Sequence, residues 1–382
     1  MSKAKEIIIS LLESAGITVN GDELYDIHVH NEGFYKRVLT EGSLGLGESY
    51  VEGWWDVEFL DQFFHKILVA HLDKKIKGNW KLLFFYLRSI LFNQQTRSRA
   101  DKVASYHYDV GNDLYQSMLG STMAYTCGYW RTAAGQTIID PDLAQEAKFN
   151  LVCRKLKLKV DQEILDIGGG WGSFAKYAVI NYGVKVTVIV NSQEQYILGK
   201  QSCSYLGESI KFLLQDYRDD FTGLFDHIIS LGMFEHVGYK NYSTYMKLVA
   251  THLKDDGLFL LHTIGGNYST KHINSWLEKY IFPNSMLPSI KQIGAAIENI
   301  FVMEDWHNFG PDYDKTLMWW FKNFEDRKEL WSHESYKYDK KFYRMWTYYL
   351  LSCAGAFRAR DIQLWQIVLS KNGLRGGYRS IR

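Results

Sequence analysis

The run Glu163-Ile-Leu-Asp166-Ile-Gly168-Gly169-Gly170-Trp171-Gly172 is the stretch of this sequence best suited to chemistry. A short apolar segment holding an acid, followed by clustered glycines, lets a strand turn sharply beneath a nucleotide-like ligand. Glycine allows this because it has no Cβ to hold the ligand away. A dinucleotide fingerprint needs G-x-G-x-x-G over a pyrophosphate. Here the acid precedes the glycines and a bulky Trp171 stands among them. The Asp166 carboxylate would repel a pyrophosphate and suits a cationic or zwitterionic ligand such as S-adenosylmethionine.

Two further runs place ionisable groups at strand ends. Gly232-Met-Phe-Glu235-His236-Val-Gly238 and Leu260-Leu-His262-Thr-Ile-Gly265 together offer a carboxylate and an imidazole, the makings of a general acid/base pair. Either residue alone could merely cap a helix or satisfy a loop. In Phe212–Tyr217, Asp216 could accept from an exocyclic amine such as adenine N6, and Tyr217 could cover a ring face. Ser192, Glu194 and Gln195 follow another candidate strand, where a ribose or amino-acid group could be held. Cys127, in Tyr125-Thr126-Cys127-Gly128-Tyr129-Trp130, reads either as an apolar filler or as a polar site residue. Cys353 lies among small residues in Leu350–Arg358, a pattern for close helix packing. Neither thiol has a lysine or histidine beside it in sequence to favour the thiolate.

Positioning these residues requires a sheet. Candidate strands are Glu163–Ile167, Lys185–Val190, Ile210–Leu214, Asp226–Leu231, Gly257–His262, Ile300–Glu304 and Ile362–Leu369, with helical stretches between most of them. Such alternation predicts a parallel sheet wrapped on both faces, with ligands beyond the carboxyl ends of the strands. The front of the chain, to about residue 100, is mostly helical in pattern, beginning with an amphipathic helix over residues 3–15. Leu44–Asp56 reads as a glycine-punctuated packing motif. The basic run Lys74–Lys81 precedes the aromatic-rich apolar run Leu82–Phe92, which holds Arg88. That run is shorter than the roughly 20 residues a bilayer span needs. It could dock on an anionic membrane surface, pack as a buried helix, or form a dimer interface. Three of the four prolines fall between Pro283 and Pro311, a candidate lid or insertion.

The 382 residues carry a net charge of +1, which argues against a general nucleic-acid binder. Four cysteines lie far apart, without metal-ligand spacing and too few for a disulfide scaffold, so reduced thiols in a cytosol fit best. The N-terminus lacks the long apolar stretch of a signal peptide. Aromatic residues make up 15% of the chain, enough for either a bulky core or an aromatic-walled pocket.

Taken together, the motifs resemble the cyclopropane-fatty-acyl-phospholipid synthase family from about residue 40 to 366. The most specific runs are Gly232–Gly238, His262–Gly265 and Asp305-Trp-His-Asn-Phe-Gly310. The resemblance implies an α/β class I methyltransferase (Rossmann-like) fold with a seven-stranded sheet. It also implies a smaller, mainly helical N-terminal domain over residues 1–100 that associates with lipid and dimerises, ahead of a catalytic domain over 101–382. The implied reaction moves a methylene group from S-adenosylmethionine to the cis double bond of unsaturated acyl chains in bilayer phospholipid, with bound bicarbonate as base. Its holders would be Cys127, Glu235, His262, the backbone of Ile264, and Tyr313. The family is also often assigned a catalytic cysteine at the Cys353 position, although this reaction has no chemical need of a nucleophile. The cofactor contacts would be Tyr125, Thr126, the turn Asp166, Gly168, Gly169, Gly170, Trp171 and Gly172, then Val190, Asn191, Ser192, Gln195, Asp216 and Tyr217. Gly169 stands where the family usually has Cys, and Val190-Asn191 where Thr-Ile is common. The implied setting is the cytoplasm, as a homodimer in peripheral contact with the inner face of the plasma membrane. Methyl transfer without ring closure, and a non-catalytic lipid-binding protein, are the alternatives.

Overall fold

The computed structural model describes residues 2–72, 111–219, 221–332 and 338–382. The basic and apolar runs at 74–92 and the predicted boundary near residue 100 lie outside the described residues. Two compact units emerge, each drawing on separate stretches of chain: residues 1–111, 272–284 and 317–361 form the first, and 112–271, 285–316 and 362–382 the second.

In chain order the first unit begins with α1 (Lys3–Glu13), β1 (His28–Val29), α2 (Gly33–Glu41), α3 (Ser43–Val51), β2 (Trp55–Asp56) and α4 (Leu60–Val69). There follow α5 (Asn112–Met118), α6 (Pro141–Leu156), β3 (Glu163–Ile167), α7 (Ser173–Tyr182), β4 (Lys185–Val190), α8 (Gln193–Ser202), β5 (Ile210–Leu214) and β6 (Phe225–Leu231). The chain continues through α9 (Tyr242–His252), β7 (Leu253–Gly266), α10 (Ser275–Tyr280), α11 (Ile290–Ile297) and β8 (Val302–Asn308). It ends with α12 (Pro311–Glu325), α13 (Lys328–Ser332), α14 (Lys340–Arg358) and β9 (Ile362–Ser370).

In the first unit the packing motif at Leu44–Asp56 does what its glycines suggest. A Cβ at Gly47 would sit 2.3 Å from the Trp276 ring, so α3 meets that indole directly. Trp55 is fully buried against Phe34, Tyr50 and Phe63. The small-residue stretch of α14 lets it lie on α4, where a Cβ at Gly355 would fall 2.6 Å from the Asp61 carbonyl oxygen. Arg358 pairs with the Asp61 carboxylate in the same contact.

The second unit is built on a seven-stranded sheet in the order β5-β4-β3-β6-β7-β9-β8. Every strand expected from the sequence is present. Lys185-Val-Thr-Val-Ile-Val190 shows why: its β-branched residues are mostly buried, as in a strand covered on both faces. The expectation of a wholly parallel sheet is corrected, because β9 runs antiparallel to both β7 and β8. Strand and helix alternation constrains direction only where a helical crossover joins two neighbours, and β9 instead slots between strands already laid down. The order reverses at β3, which lies between β4 and β6, so the glycine turn stands at the switch point.

Replacing Gly355 with Val forces α14 away from α4. The expected cost is about 2–3 kcal/mol, read as a lowered midpoint in thermal unfolding. An unchanged midpoint would show that the helices approach less closely than described.

Candidate active site

The turn after β3 is pinned to its neighbour by the Gly168 and Gly169 N–H groups, which donate to the Ile189 carbonyl at 2.9 and 3.3 Å. Gly168 has φ +81°, and a Cβ there would lie 2.7 Å from Met233, so a side chain is excluded twice over. At Gly169 an added Cβ would stand 2.6 Å from both Asp166 Oδ2 and Val188 Cγ1. The chain's departure from Cys at this position is therefore coupled to where Asp166 points. Asp166 is buried and neither of its oxygens accepts a hydrogen bond. Burial lifts its carboxyl to about 7, opposed by the positive charge of Lys148. Beside the turn, the Tyr115 ring lies 5.2 Å from both Tyr125 and Trp171, and Asn112 accepts from the Trp171 indole at 3.1 Å.

The other expected cofactor contacts are spread along the same sheet edge. Val190 ends β4 and its carbonyl accepts from Gln215 at 2.9 Å, while Asn191 is exposed. The Ser192 hydroxyl caps α8 by accepting from the Gln195 N–H at 3.3 Å. Asp216 is held by both Nε and Nη2 of Arg218 at 2.8 and 2.7 Å, which keeps its carboxyl below the usual range. Tyr217 packs edge-on to Tyr245.

Glu235 and His262 meet at the ends of neighbouring strands. Leu231 of β6 is in register with His262 of β7, and the Gly232 N–H donates to the His262 carbonyl at 2.9 Å. Four residues beyond Leu231, Glu235 Oε1 accepts from the Ile264 N–H at 2.7 Å, so that donor is already engaged by the carboxylate. Glu235 Oε2 has no hydrogen-bond partner among the described residues, and burial pushes the carboxyl up to about 7, opposed by the Ile264 N–H and the neighbouring Thr263 hydroxyl. The Gln366 amide nitrogen lies 3.3 Å from His262 Nδ1; with the amide so turned, Nδ1 accepts, and Nε2, which has no partner among the described residues, carries the proton of the neutral ring. Burial, with Lys148 and Lys155 adding to it, keeps this imidazole neutral.

Cys127 is fully buried in a segment clamped by the start of α12. The Gly128 N–H and the Trp130 indole both donate to Thr316 Oγ1, at 3.1 and 3.0 Å, and the Trp130 N–H donates to Asp312 at 2.9 Å. Burial, with the nearby Asp312 adding to it, holds the Cys127 thiol well above its ordinary value, so it is a neutral S–H group that reaches the Gly128 carbonyl at 3.1 Å. Tyr313 is buried in the first turn of α12, its N–H on the Gly310 carbonyl at 2.9 Å. Phe309 packs edge-on with Tyr129 and His262. Cys127, Glu235, His262, Ile264 and Tyr313 all belong to the second unit, whereas Cys353 belongs to the first. Burial lifts the Cys353 thiol to about 12, far from a nucleophilic thiolate.

The model of the mycolic acid cyclopropane synthetase family matches residues 94–367. The chain belongs to that family. It is 49% identical over 368 residues, 96% of this chain and 94% of the relative, to the cyclopropane-fatty-acyl-phospholipid synthase of Escherichia coli (strain K12). It is 36% identical over 280 residues to a probable fatty acid methyltransferase of Pseudomonas putida, covering 70% of this chain and 68% of that one. Among solved structures, mycolic acid cyclopropane synthase CmaA1 complexed with SAH and CTAB matches with a TM-score of 0.62 and 29% identity, over 71% of this chain and 98% of that one. The chain is thus an S-adenosylmethionine-dependent enzyme of the cyclopropane synthetase family on a class I methyltransferase fold. The residues fit that cofactor: an unpartnered buried carboxylate at Asp166 suits its cationic groups, and the glycine turn admits close approach.

In this member of the family, sequence reading missed Lys148, Thr316 and Asp312. Lys148 is fully buried on α6, and its Nζ donates to Thr126 Oγ1 at 2.7 Å. The signal was present in the spacing, since Ala144, Lys148, Leu151 and Lys155 recur along one face of α6 and all are buried.

Glu235 also fixes a pH dependence. Its folded carboxyl titrates near 7 against an ordinary 4.5, so the folded state holds a proton that the unfolded chain releases between those values. That contribution is complete at low pH and lost as pH rises through 7. The ligand-free Glu235→Gln enzyme is expected to match the wild type near pH 5 and to melt about 2–4 °C higher at pH 8. Equal midpoints at both pH values would contradict a buried, half-satisfied carboxylate.

Proposed function

We propose that the enzyme transfers a methylene group from S-adenosylmethionine to the cis double bond of unsaturated acyl chains in membrane phospholipids, with bound bicarbonate as base. The observation that carries this reading is the pair of unpartnered atoms on neighbouring strand ends. Among the described residues Glu235 Oε2 lacks a donor and His262 Nε2 lacks a partner. A small group with one hydroxyl and one oxyanion answers both at once, and bicarbonate is such a group.

The cofactor supplies an electrophilic sulfonium methyl; the chain's residues do the rest. Asp166 attracts the cofactor's positive charge. Glu235 accepts from the bicarbonate hydroxyl, while His262 Nε2 and Tyr313 donate to its oxygens, joined by the Cys127 thiol once its single hydrogen turns away from the Gly128 carbonyl. Holding a base rather than being one keeps long polar side chains out of the path of an acyl chain. Attack by the alkene on that methyl would break its bond to sulfur, release S-adenosylhomocysteine and leave a carbocation on the acyl chain that water would trap, and the apolar surroundings of Phe234 and Phe309, both buried, would keep water away. Loss of a proton to the base then closes the ring.

Glu235→Ala and His262→Ala are expected to lower turnover by roughly 100-fold or more while S-adenosylhomocysteine still binds in calorimetry; full activity in either would remove the cage. A second reading, methyl transfer without ring closure, is favoured by the likeness to the Pseudomonas putida relative named a probable fatty acid methyltransferase. Mass spectrometry of unsaturated phospholipid after incubation with labelled S-adenosylmethionine separates them: a gained CH2 with the double bond lost means cyclopropane, and a retained double bond means a methyl branch.

Reaching such a substrate requires contact with a bilayer, and no helix among the described residues is long and apolar enough to cross one. The proposal therefore includes peripheral docking at the inner face of the plasma membrane by a homodimer, through the basic and apolar runs at 74–92. Substituting Lys74, Lys75 and Lys77 with Glu should weaken co-sedimentation with anionic vesicles at low salt; unchanged binding would move the docking surface elsewhere.

A further inference from the structure

We propose that Lys148 is a positioning residue that supplies the active site with its buried positive charge and draws the anionic base to the Cys127 and His262 side. The inference rests on the reading that the base is a bound anion. Lys148 is 0% exposed on α6. Thr126 Oγ1, at 2.7 Å, is its hydrogen-bond partner among the described residues, and its Nζ also lies 4.0 Å from the Phe149 ring centroid. An ammonium carries three donor hydrogens, so this buried cation keeps donors to offer. The neighbouring Gln145 amide donates to the Thr126 carbonyl at 2.8 Å, so α6 fixes Thr126 by both its hydroxyl and its backbone. Thr126 in turn leads directly into Cys127, and its methyl abuts Gly232 at the end of β6.

Titratable groups on three other elements lie within the electrostatic reach of Lys148. Asp166 comes from β3, Cys127 from the clamped segment and His262 from β7. Of these, Asp166 is the group that can be anionic, its carboxyl lifted by burial to about 7; the thiol and the imidazole are both held neutral. Burial pulls the Lys148 ammonium down to about 7 in the ligand-free protein, opposed by Cys127 and Asp166. A bound anion would raise that value, which is the same coupling seen from the lysine's side. Without Lys148, the other buried lysine acting on His262 is Lys155, which is already turned to Asp305 and His307, and a buried charge needs a partner.

The test uses the full-length enzyme in CO2-depleted buffer, with rates measured against added bicarbonate. Lys148→Met keeps the unbranched stem and removes the charge; Lys148→Arg keeps the charge. The Met variant is expected to need about tenfold or more bicarbonate for half-maximal rate, with S-adenosylhomocysteine affinity reduced by less than that factor. The Arg variant is expected to stay within about threefold of wild type in bicarbonate. Because the charged form is required, wild-type activity should fall at high pH as Lys148 loses its proton. That alkaline limb should move upward in the Arg variant and vanish in the Met variant. Unchanged half-saturation and pH profile in the Met variant would overturn the proposal, as would an equal loss of bicarbonate and S-adenosylhomocysteine affinity. If the Met variant does not fold, a folded Arg variant that keeps the wild-type alkaline limb overturns it. A wild-type rate independent of bicarbonate sinks the anionic-base reading itself, whereas a bicarbonate-dependent wild type with an indifferent Met variant sinks only the role of Lys148.

Discussion

Everything in the catalytic unit depends on keeping ionisable groups out of water while leaving some of their atoms without protein partners. Asp166, Glu235 and His262 are all nearly inaccessible, yet both Asp166 oxygens, Glu235 Oε2 and His262 Nε2 have no hydrogen-bond partner among the described residues. An unsatisfied buried donor or acceptor costs on the order of 1–3 kcal/mol. The fold tolerates several of them at one sheet edge because ligands can complete them, and the protein is least satisfied where it has most to bind.

That arrangement is held by backbone rather than by side-chain ion pairs. The Ile264 N–H takes one oxygen of Glu235, the Gly168 and Gly169 N–H groups tie the turn to β4, and Thr316 with Asp312 fixes the strand-like segment through Cys127. Backbone donors have fixed directions and lose little freedom on binding, so they leave the free oxygen of Glu235 and the free nitrogen of His262 in set positions. This is what electrostatic preorganisation requires.

How much of this could be read from the sequence follows from the range of each interaction. The strands and the glycine turn were legible because apolar runs and glycine clusters are local signals. Glu235 and His262 were legible because strand ends in an α/β sheet converge, whatever the rest does. The antiparallel direction of β9 was not, since no crossover helix dictates it. The engagement of the Ile264 N–H by Glu235 was not, since a backbone donor has no residue type. Lys148 escaped for a third reason: a lysine is ordinarily solvated, and only its place on the buried face of α6 contradicts that expectation. Gly169 reads in the sequence only as a departure from the resembled family's Cys, whereas its missing Cβ makes room for the Asp166 carboxylate itself.

The two thiols show how burial separates residues that look alike in sequence. Burial raises both Cys127 and Cys353, so neither is poised as a nucleophile. They differ in company. Cys127 lies in a clamped segment beside Thr126, within the field of Lys148, its neutral S–H on the Gly128 carbonyl. Cys353 lies two residues from Gly355, whose missing Cβ lets α14 meet the backbone of α4, and a small side chain is what such close packing asks for. A reaction in which the alkene is the nucleophile and a small anion the base leaves no step for a thiolate. Raised thiols are therefore what the chemistry wants, because a thiolate near the sulfonium methyl would compete with the alkene for it.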